Sequence, residues 1–376
     1  MAPNRLSEAL ARHRSTGQAL IDLSASNPTE CGFAYDTQAI LQALSSPAAL
    51  SYVPEPQGLL PAREAVAEYY AARGSEVPIS DIFLTTSTSE AYSFVFRILC
   101  NPGDEILIPT PSYPLFDLLA DIQDVRLLRY PLVYDHGWQI DFHALEAAIG
   151  PRTRGIIVVH PNNPTGHFTK SGELSKLNQI CVERQIAIIA DQVFLDYSLS
   201  AKPQLTFSGN REALTFTMSG LSKISGLPQM KVAWLITSGP ERLKVQALER
   251  LEVIADIYLS MNAPIQLAAP AFLEQRHQFQ KQLMSRVREN LAELDRQLST
   301  QKSCSRLDLA GGWYAVIRVP ATRSDEDFAI DLLSSKSVYL HPGHFYDFPA
   351  EGYLIVSLIA PQRHFEEGIK RLLLSF

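Results

Sequence analysis

Two runs of consecutive apolar residues, Gly155-Ile156-Ile157-Val158-Val159 and Ile186-Ala187-Ile188-Ile189-Ala190, constrain the fold of this chain more than anything else in it. A strand with one wet face alternates apolar and polar residues. A run without alternation, too short for a helix, belongs to a strand covered on both faces, as in a parallel sheet sandwiched by helices. Between the two runs, residues 171–185 have a helical pattern. Strand, helix, strand in that order is a βαβ unit with a right-handed crossover. Strand-like segments at 82–86, 105–109 and 213–218 extend the alternation over about residues 60–240, with helices at 62–73 and 90–99 and a turn at Asn101-Pro102-Gly103-Asp104. Past residue 240 the pattern changes. Residues 241–256 and 276–300 read as long helices, 313–319, 337–340 and 353–359 as strands, and 362–374 as a closing amphipathic helix. An α/β chain results, with a large domain over 46–240 and a smaller α+β domain.

Composition narrows the function. With 46% hydrophobic and 19% charged residues the chain reads as an ordinary globular protein. A net charge of −7 without a Lys/Arg block argues against nucleic acid and membrane surfaces as partners. No apolar run approaches the roughly 20 residues of a spanning helix, and the first twenty residues lack a secretory apolar core. Cys31, Cys100, Cys181 and Cys304 are widely spaced, which speaks against a zinc site or a disulfide framework. A reducing cytoplasm is the expected location.

Ligands of open α/β sheets bind beyond the carboxyl ends of the strands, so the residues after each strand matter most. Asp191 ends one apolar run, where a carboxylate is costly without a partner. His160-Pro161-Asn162-Asn163-Pro164-Thr165-Gly166 follows the other run, and its prolines and glycine make a tight loop able to aim the Asn163 amide. Lys223 stands in Ser219-Gly220-Leu221-Ser222-Lys223, among small residues at the end of a strand, where an amine can act as a nucleophile. Thr85-Thr86-Ser87-Thr88-Ser89-Glu90 joins a strand to a helix, and its N–H groups and hydroxyls can cradle a phosphate. Taken singly, a helix cap explains the Asp or the Ser/Thr run as readily, and a solvated surface residue explains the Lys.

Taken together, their order is specific. Asp191 lies 28 residues after Asn163, and Lys223 lies 32 after Asp191. With Tyr52-Val53-Pro54, Gly58, Arg63 and Pro111-Ser112-Tyr113-Pro114, this series resembles the class I/II aminotransferases, fold type I pyridoxal-phosphate (PLP) enzymes, over nearly the whole chain. The resemblance implies a large domain with a mostly parallel seven-stranded sheet, and a small domain from both chain ends, 1–45 and 241–376. It implies PLP held as a Schiff base on Lys223, which also shuttles the proton. Asp191 then faces the ring nitrogen, Asn163 the phenolate oxygen and Tyr113 the ring face. Thr88, Ser89, Ser222 and Lys231 hold the phosphate, joined by Tyr52 of a partner subunit. A homodimer that moves an amino group from an amino acid or amine to a keto acid is expected.

Four positions depart from the family pattern. Lys231 and Phe194 stand where an arginine and a tyrosine are usual, so the phosphate loses a bidentate fork and the phenolate oxygen loses a hydrogen bond. Ser87 and Thr88 replace smaller residues in the cradle. Ile355 aligns with the arginine that grips the substrate's α-carboxylate, and an isoleucine cannot bind a carboxylate. This last departure keeps alternatives open: another PLP-dependent reaction, such as a lyase, decarboxylase or cyclase reaction, or a PLP-binding protein without turnover.

Overall fold

The computed structural model describes residues 4–376, the side chain of Leu115 excepted; Met1–Pro3, part of the segment expected in the small domain, lie outside the description. In chain order the strands are β1 (Ile21–Asp22), β2 (Ile82–Thr85), β3 (Glu105–Thr110), β4 (Arg126–Tyr134), β5 (Trp138–Ile140), β6 (Thr153–Val159), β7 (Ala187–Asp191), β8 (Thr215–Gly220), β9 (Ala233–Ser238), β10 (Ser305–Arg306), β11 (Tyr314–Arg318), β12 (Val338–Tyr339), β13 (His341–Pro342) and β14 (Tyr353–Ser357).

The apolar runs became β6 and β7 at the centre of one large sheet, ordered β2-β9-β8-β7-β6-β3-β4-β5. The ladders from β4 through β3, β6 and β7 to β8 are parallel, while β9 runs antiparallel between β8 and β2. Alternate side chains of the runs serve opposite faces. Ile156, Val158, Ile188 and Ala190 enter one apolar cluster, and Ile157, Val159, Ala187 and Ile189 enter another. Double burial is why no polar residue interrupts them. One more strand is present than the seven expected. After β4 the chain turns at His136 and Gly137, both with positive φ, and the short β5 returns antiparallel along the sheet edge, burying Trp138 and Ile140.

The smaller sheet is antiparallel, ordered β10-β11-β14-β13. The N-terminal β1 pairs in parallel with the C-terminal β12, Ile21 opposite Val338, so the two chain ends meet. The helix Glu241–Tyr258, expected in the smaller domain, and the helix Ala263–Glu274, not read from the sequence, both pack with the large sheet. Ala247, Leu251 and Ala255 join Phe83 and Phe216 in one cluster, and Ala268, Ala269 and Phe272 join Ile82 and Trp234 in another. Their apolar faces are matched to that sheet, a fact the periodicity could not reveal.

Near the future site the loop after β6 abuts the segment before β11. Gly166 has φ +69, and a Cβ there would come within 2.2 Å of Leu309 Cδ1 and 2.5 Å of the Gly311 carbonyl oxygen. Backbone cannot rotate away as a side chain can. Gly166→Ala is therefore expected to destabilise the fold by about 2–4 kcal/mol, read as a lowered midpoint in chemical denaturation.

Candidate active site

The central strands end in register. Val159 of β6 lies opposite Asp191 of β7, and Asp191 opposite Met218 of β8. The segments that follow, His160–Gly166, Gln192–Phe194 and Ser219–Lys223, therefore leave the sheet side by side. They open into a cavity of about 500 Å3. Seven of the nine expected residues line it: Thr88, Ser89, Tyr113, Asn163, Asp191, Ser222 and Lys223. Lys231 and Tyr52 are not among its lining residues. Lys231 ends the turn Pro228–Met230 in the left-handed conformation with its side chain exposed, and Tyr52 is 78% exposed.

Asp191 is buried where β7 ends. Its carboxylate accepts from the Val193 N–H at 3.1 Å and from the Tyr92 hydroxyl at 3.1 Å. Burial pushes its pKa up; those two donors and the positive charge of Lys223 pull it back. Tyr92 lies three residues after Ser89 in the helix Thr88–Leu99, one turn along the same face. The sequence reading missed it because an aromatic on a buried helix reads as core.

Lys223 is half-buried, since it borders the cavity. Its Nζ lies 4.9 Å from the Trp313 ring centroid, 5.7 Å from that of Phe194 and 3.5 Å from the Ser26 carbonyl oxygen. Desolvation lowers its pKa to about 8, against the opposing attraction of Asp191. Its own carbonyl accepts a hydrogen bond from the buried Tyr197 hydroxyl. The position of Lys223 was legible; its aromatic surround, drawn partly from residues near 313, was not.

The Asn163 loop is braced from within. Asn162 Oδ1 accepts from the Thr165 hydroxyl at 2.8 Å, and the Asn162 carbonyl accepts from the Gly166 N–H at 2.8 Å. His160 accepts from the Thr169 N–H at Nδ1, so its Nε2 carries the proton and donates to the Leu205 carbonyl. Burial depresses this imidazole to about 3 and keeps it neutral. Asn163 itself is buried, borders the cavity, and its Oδ1 has no hydrogen-bond partner among the described residues.

The helix Thr88–Leu99 begins at the cavity. Ser87 caps it by accepting from the Glu90 N–H at 3.2 Å, and Glu90 returns to the Thr86 N–H at 2.6 Å. First-turn N–H groups have no intrahelical acceptor, which leaves those of Thr88 and Ser89 available to an anion. Small-domain residues Tyr314, His341, Phe345 and Tyr346 complete the wall. None of these was singled out in the sequence, where Tyr314 falls within the strand-like segment 313–319 and the others lie outside any element read there.

A lysine with a depressed pKa, a buried carboxylate, an aimed amide and a helix N-terminus around one cavity make a site for an anionic, amine-reactive ligand. Comparison with known proteins gives it a family. The model of the aminotransferases of class I and II matches residues 19–372. The glutamate-pyruvate aminotransferase AlaA of Escherichia coli (strain K12) is 27% identical over 358 residues, 92% of this chain and 88% of that one. The alanine aminotransferase of Mycobacterium tuberculosis (strain ATCC 25618 / H37Rv) is 29% identical, covering 96% and 86%. An aminotransferase from Escherichia coli of known structure superposes with a TM-score of 0.86 at 25% identity, covering 98% of this chain and 93% of that one. The chain belongs to the class I and II aminotransferase family and is a transaminase.

The environment of Asp191 makes a thermodynamic prediction. An acid whose pKa is raised by folding costs stability once it ionises in the folded state, and the cost vanishes below its unfolded pKa. Cofactor-free Asp191→Asn is therefore expected to melt higher than the wild type at pH 7.5, with the gain shrinking as the pH falls toward 4. Thermal melts across that range check it.

Proposed function

We propose that this chain binds pyridoxal phosphate in the cavity at the ends of β6, β7 and β8 and moves an amino group between an amino acid and a keto acid. The observation that carries the proposal is the pairing of Lys223 and Asp191, a desolvated amine and a buried carboxylate on one cavity wall. The residues present fit the cofactor. Asp191 has only neutral donors in hydrogen-bonding contact and suits a protonated ring nitrogen. The first turn at Thr88 and Ser89, with the Ser222 hydroxyl, suits a phosphate. Asn163 borders the same space, its Oδ1 without a hydrogen-bond partner among the described residues.

Bound there, pyridoxal phosphate supplies an aldehyde that condenses with amines and a ring that accepts an electron pair. The protein supplies the rest. Asp191 keeps the ring nitrogen protonated. Asn163 donates to the phenolate oxygen. Tyr113, 45% exposed at the mouth, covers one ring face. Lys223 Nζ would be the attachment point and, once freed, the base that shuttles the proton between the substrate carbon and the cofactor's imine carbon. Apolar side chains of Phe194, Trp313 and Tyr314 keep water from that amine. The proposed assembly is a homodimer in which the exposed Tyr52 reaches the partner subunit's cofactor phosphate. The four free thiols support a reducing cytoplasm as the location. Among the described residues no helix is long and apolar enough to cross a membrane.

Two measurements test this. Lys223→Ala is expected to lose the long-wavelength absorbance of bound cofactor and to transfer amino groups roughly 10^2- to 10^4-fold more slowly; full activity in that variant would sink the proposal. Only the neutral amine is nucleophilic, so capture of pyridoxal phosphate by the cofactor-free protein should quicken as pH rises through about 8 and then level off, which stopped-flow absorbance reads directly.

A further inference from the structure

The small-domain wall of the cavity has a feature that the amino-transfer chemistry leaves unused. Among the described residues no arginine lines the cavity, and the only side chains there with a basic nitrogen are Lys223 and His341. Lys223 is committed to the cofactor. The His341 Nδ1 is paired with the Tyr346 hydroxyl at 3.2 Å, while its Nε2 has no hydrogen-bond partner among the described residues. The strand register explains its aim. His341 of β13 lies opposite Ile355 of β14, Ile355 lies opposite Val316 of β11, and Tyr314 stands two residues before Val316. Paired and alternate residues share a face of a sheet, so His341, Ile355 and Tyr314 leave it on the same side. Ile355 is buried and apolar, and His341 is the polar group beside it.

We propose that His341 is the substrate-recognition residue of this cavity, its Nε2 pairing with the carboxylate of an α-amino or α-keto acid that has an apolar or aromatic side chain. The side-chain preference follows from the apolar and aromatic groups that line the same space, Tyr113, Phe116, Leu119 and Phe345. The proposal rests on the aminotransferase reading. It gives the site a positive charge that exists only when a ligand is present. Around His341 stand the Asp22 carboxylate from β1, the Tyr339 ring edge-on at 5.7 Å, Phe345 at 5.6 Å and the Tyr346 hydroxyl. Burial lowers the imidazole pKa more than Asp22 raises it, so the free site holds a neutral histidine at neutral pH. A carboxylate against Nε2 favours the protonated ring. Binding then takes up a proton, and acid affinity falls as the pH rises.

The test is equilibrium binding to the cofactor-loaded protein, using 3-phenylpropanoate and its uncharged amide as probes. Wild type is expected to prefer the carboxylate by about 10- to 100-fold at pH 6.5. That preference should shrink by up to about tenfold per pH unit toward pH 8. His341→Gln should bind both probes alike at every pH, with unchanged cofactor absorbance as evidence of a folded site. His341→Arg should keep the preference and lose its pH dependence, a rescue that a merely structural histidine would not permit. With amino acid donors the His341→Gln defect should fall on KM rather than kcat. Equal binding of the two probes by wild type, or a preference that survives in His341→Gln, overturns the proposal. Failure of every amino donor to react, with a His341-dependent carboxylate preference intact, would overturn the transaminase reading and leave the recognition role standing.

Discussion

A carboxylate sealed at the end of a strand that is itself covered on both faces is the constraint on which this molecule turns. Asp191 is buried and, among the described residues, has no cation in hydrogen-bonding contact; the Tyr92 hydroxyl and the Val193 amide hold it. Both donors are fixed by the fold, one by a helix packed on the sheet and the other by the backbone after β7. Burying an acid without a counter-charge is a poor choice for stability. It is a sound choice for a protein that completes the pair with a cationic ring. The parallel ladder puts the Asn163 loop on one side of that acid and the Lys223 segment on the other, at one depth, because the strands end in register.

The two sheets divide the labour. In the proposed reading the large sheet supplies the groups that handle the cofactor, whose chemistry is shared by many reactions. The small antiparallel sheet supplies Tyr314 and His341, and its neighbouring turn supplies Phe345 and Tyr346. In the proposed reading these residues meet the part of the substrate that differs between reactions. A wall built from a separate unit can change its side chains without disturbing Asp191 or Lys223. Ile355 and His341 stand side by side on that wall's sheet, opposite each other in register.

Legibility in the sequence followed the same division. Strands β6 and β7, the crossover helix between them, and the residues at their ends were readable because double burial and tight loops leave composition signals. Strand β9 and the helix Ala263–Glu274 passed unread, and the helix Glu241–Tyr258, read by pattern with the C-terminal segment, packs on the large sheet. Their apolar residues fit several partners, and only the three-dimensional packing chooses the large sheet. Within the site, Asn163, Asp191, Lys223 and the Thr88-Ser89 turn announce themselves by position after a strand. Tyr92, Trp313 and His341 do not, since each acquires its role from a neighbour distant in sequence. Tyr52 and Lys231, read from resemblance alone, stand outside the lining of the single-chain cavity.

Lys223 has its main chain anchored beneath a long, unbranched side chain. The buried Tyr197 hydroxyl fastens the carbonyl of Lys223, and the following turn is closed by the Ser225 N–H donating to the Leu221 carbonyl. The lysine is thus a crane with a bolted base: only the boom swings. Its tip lies beside Ser26, Phe194 and Trp313, so any reach of the amine across the cavity is a matter of side-chain torsions and asks no movement of the sheet beneath it.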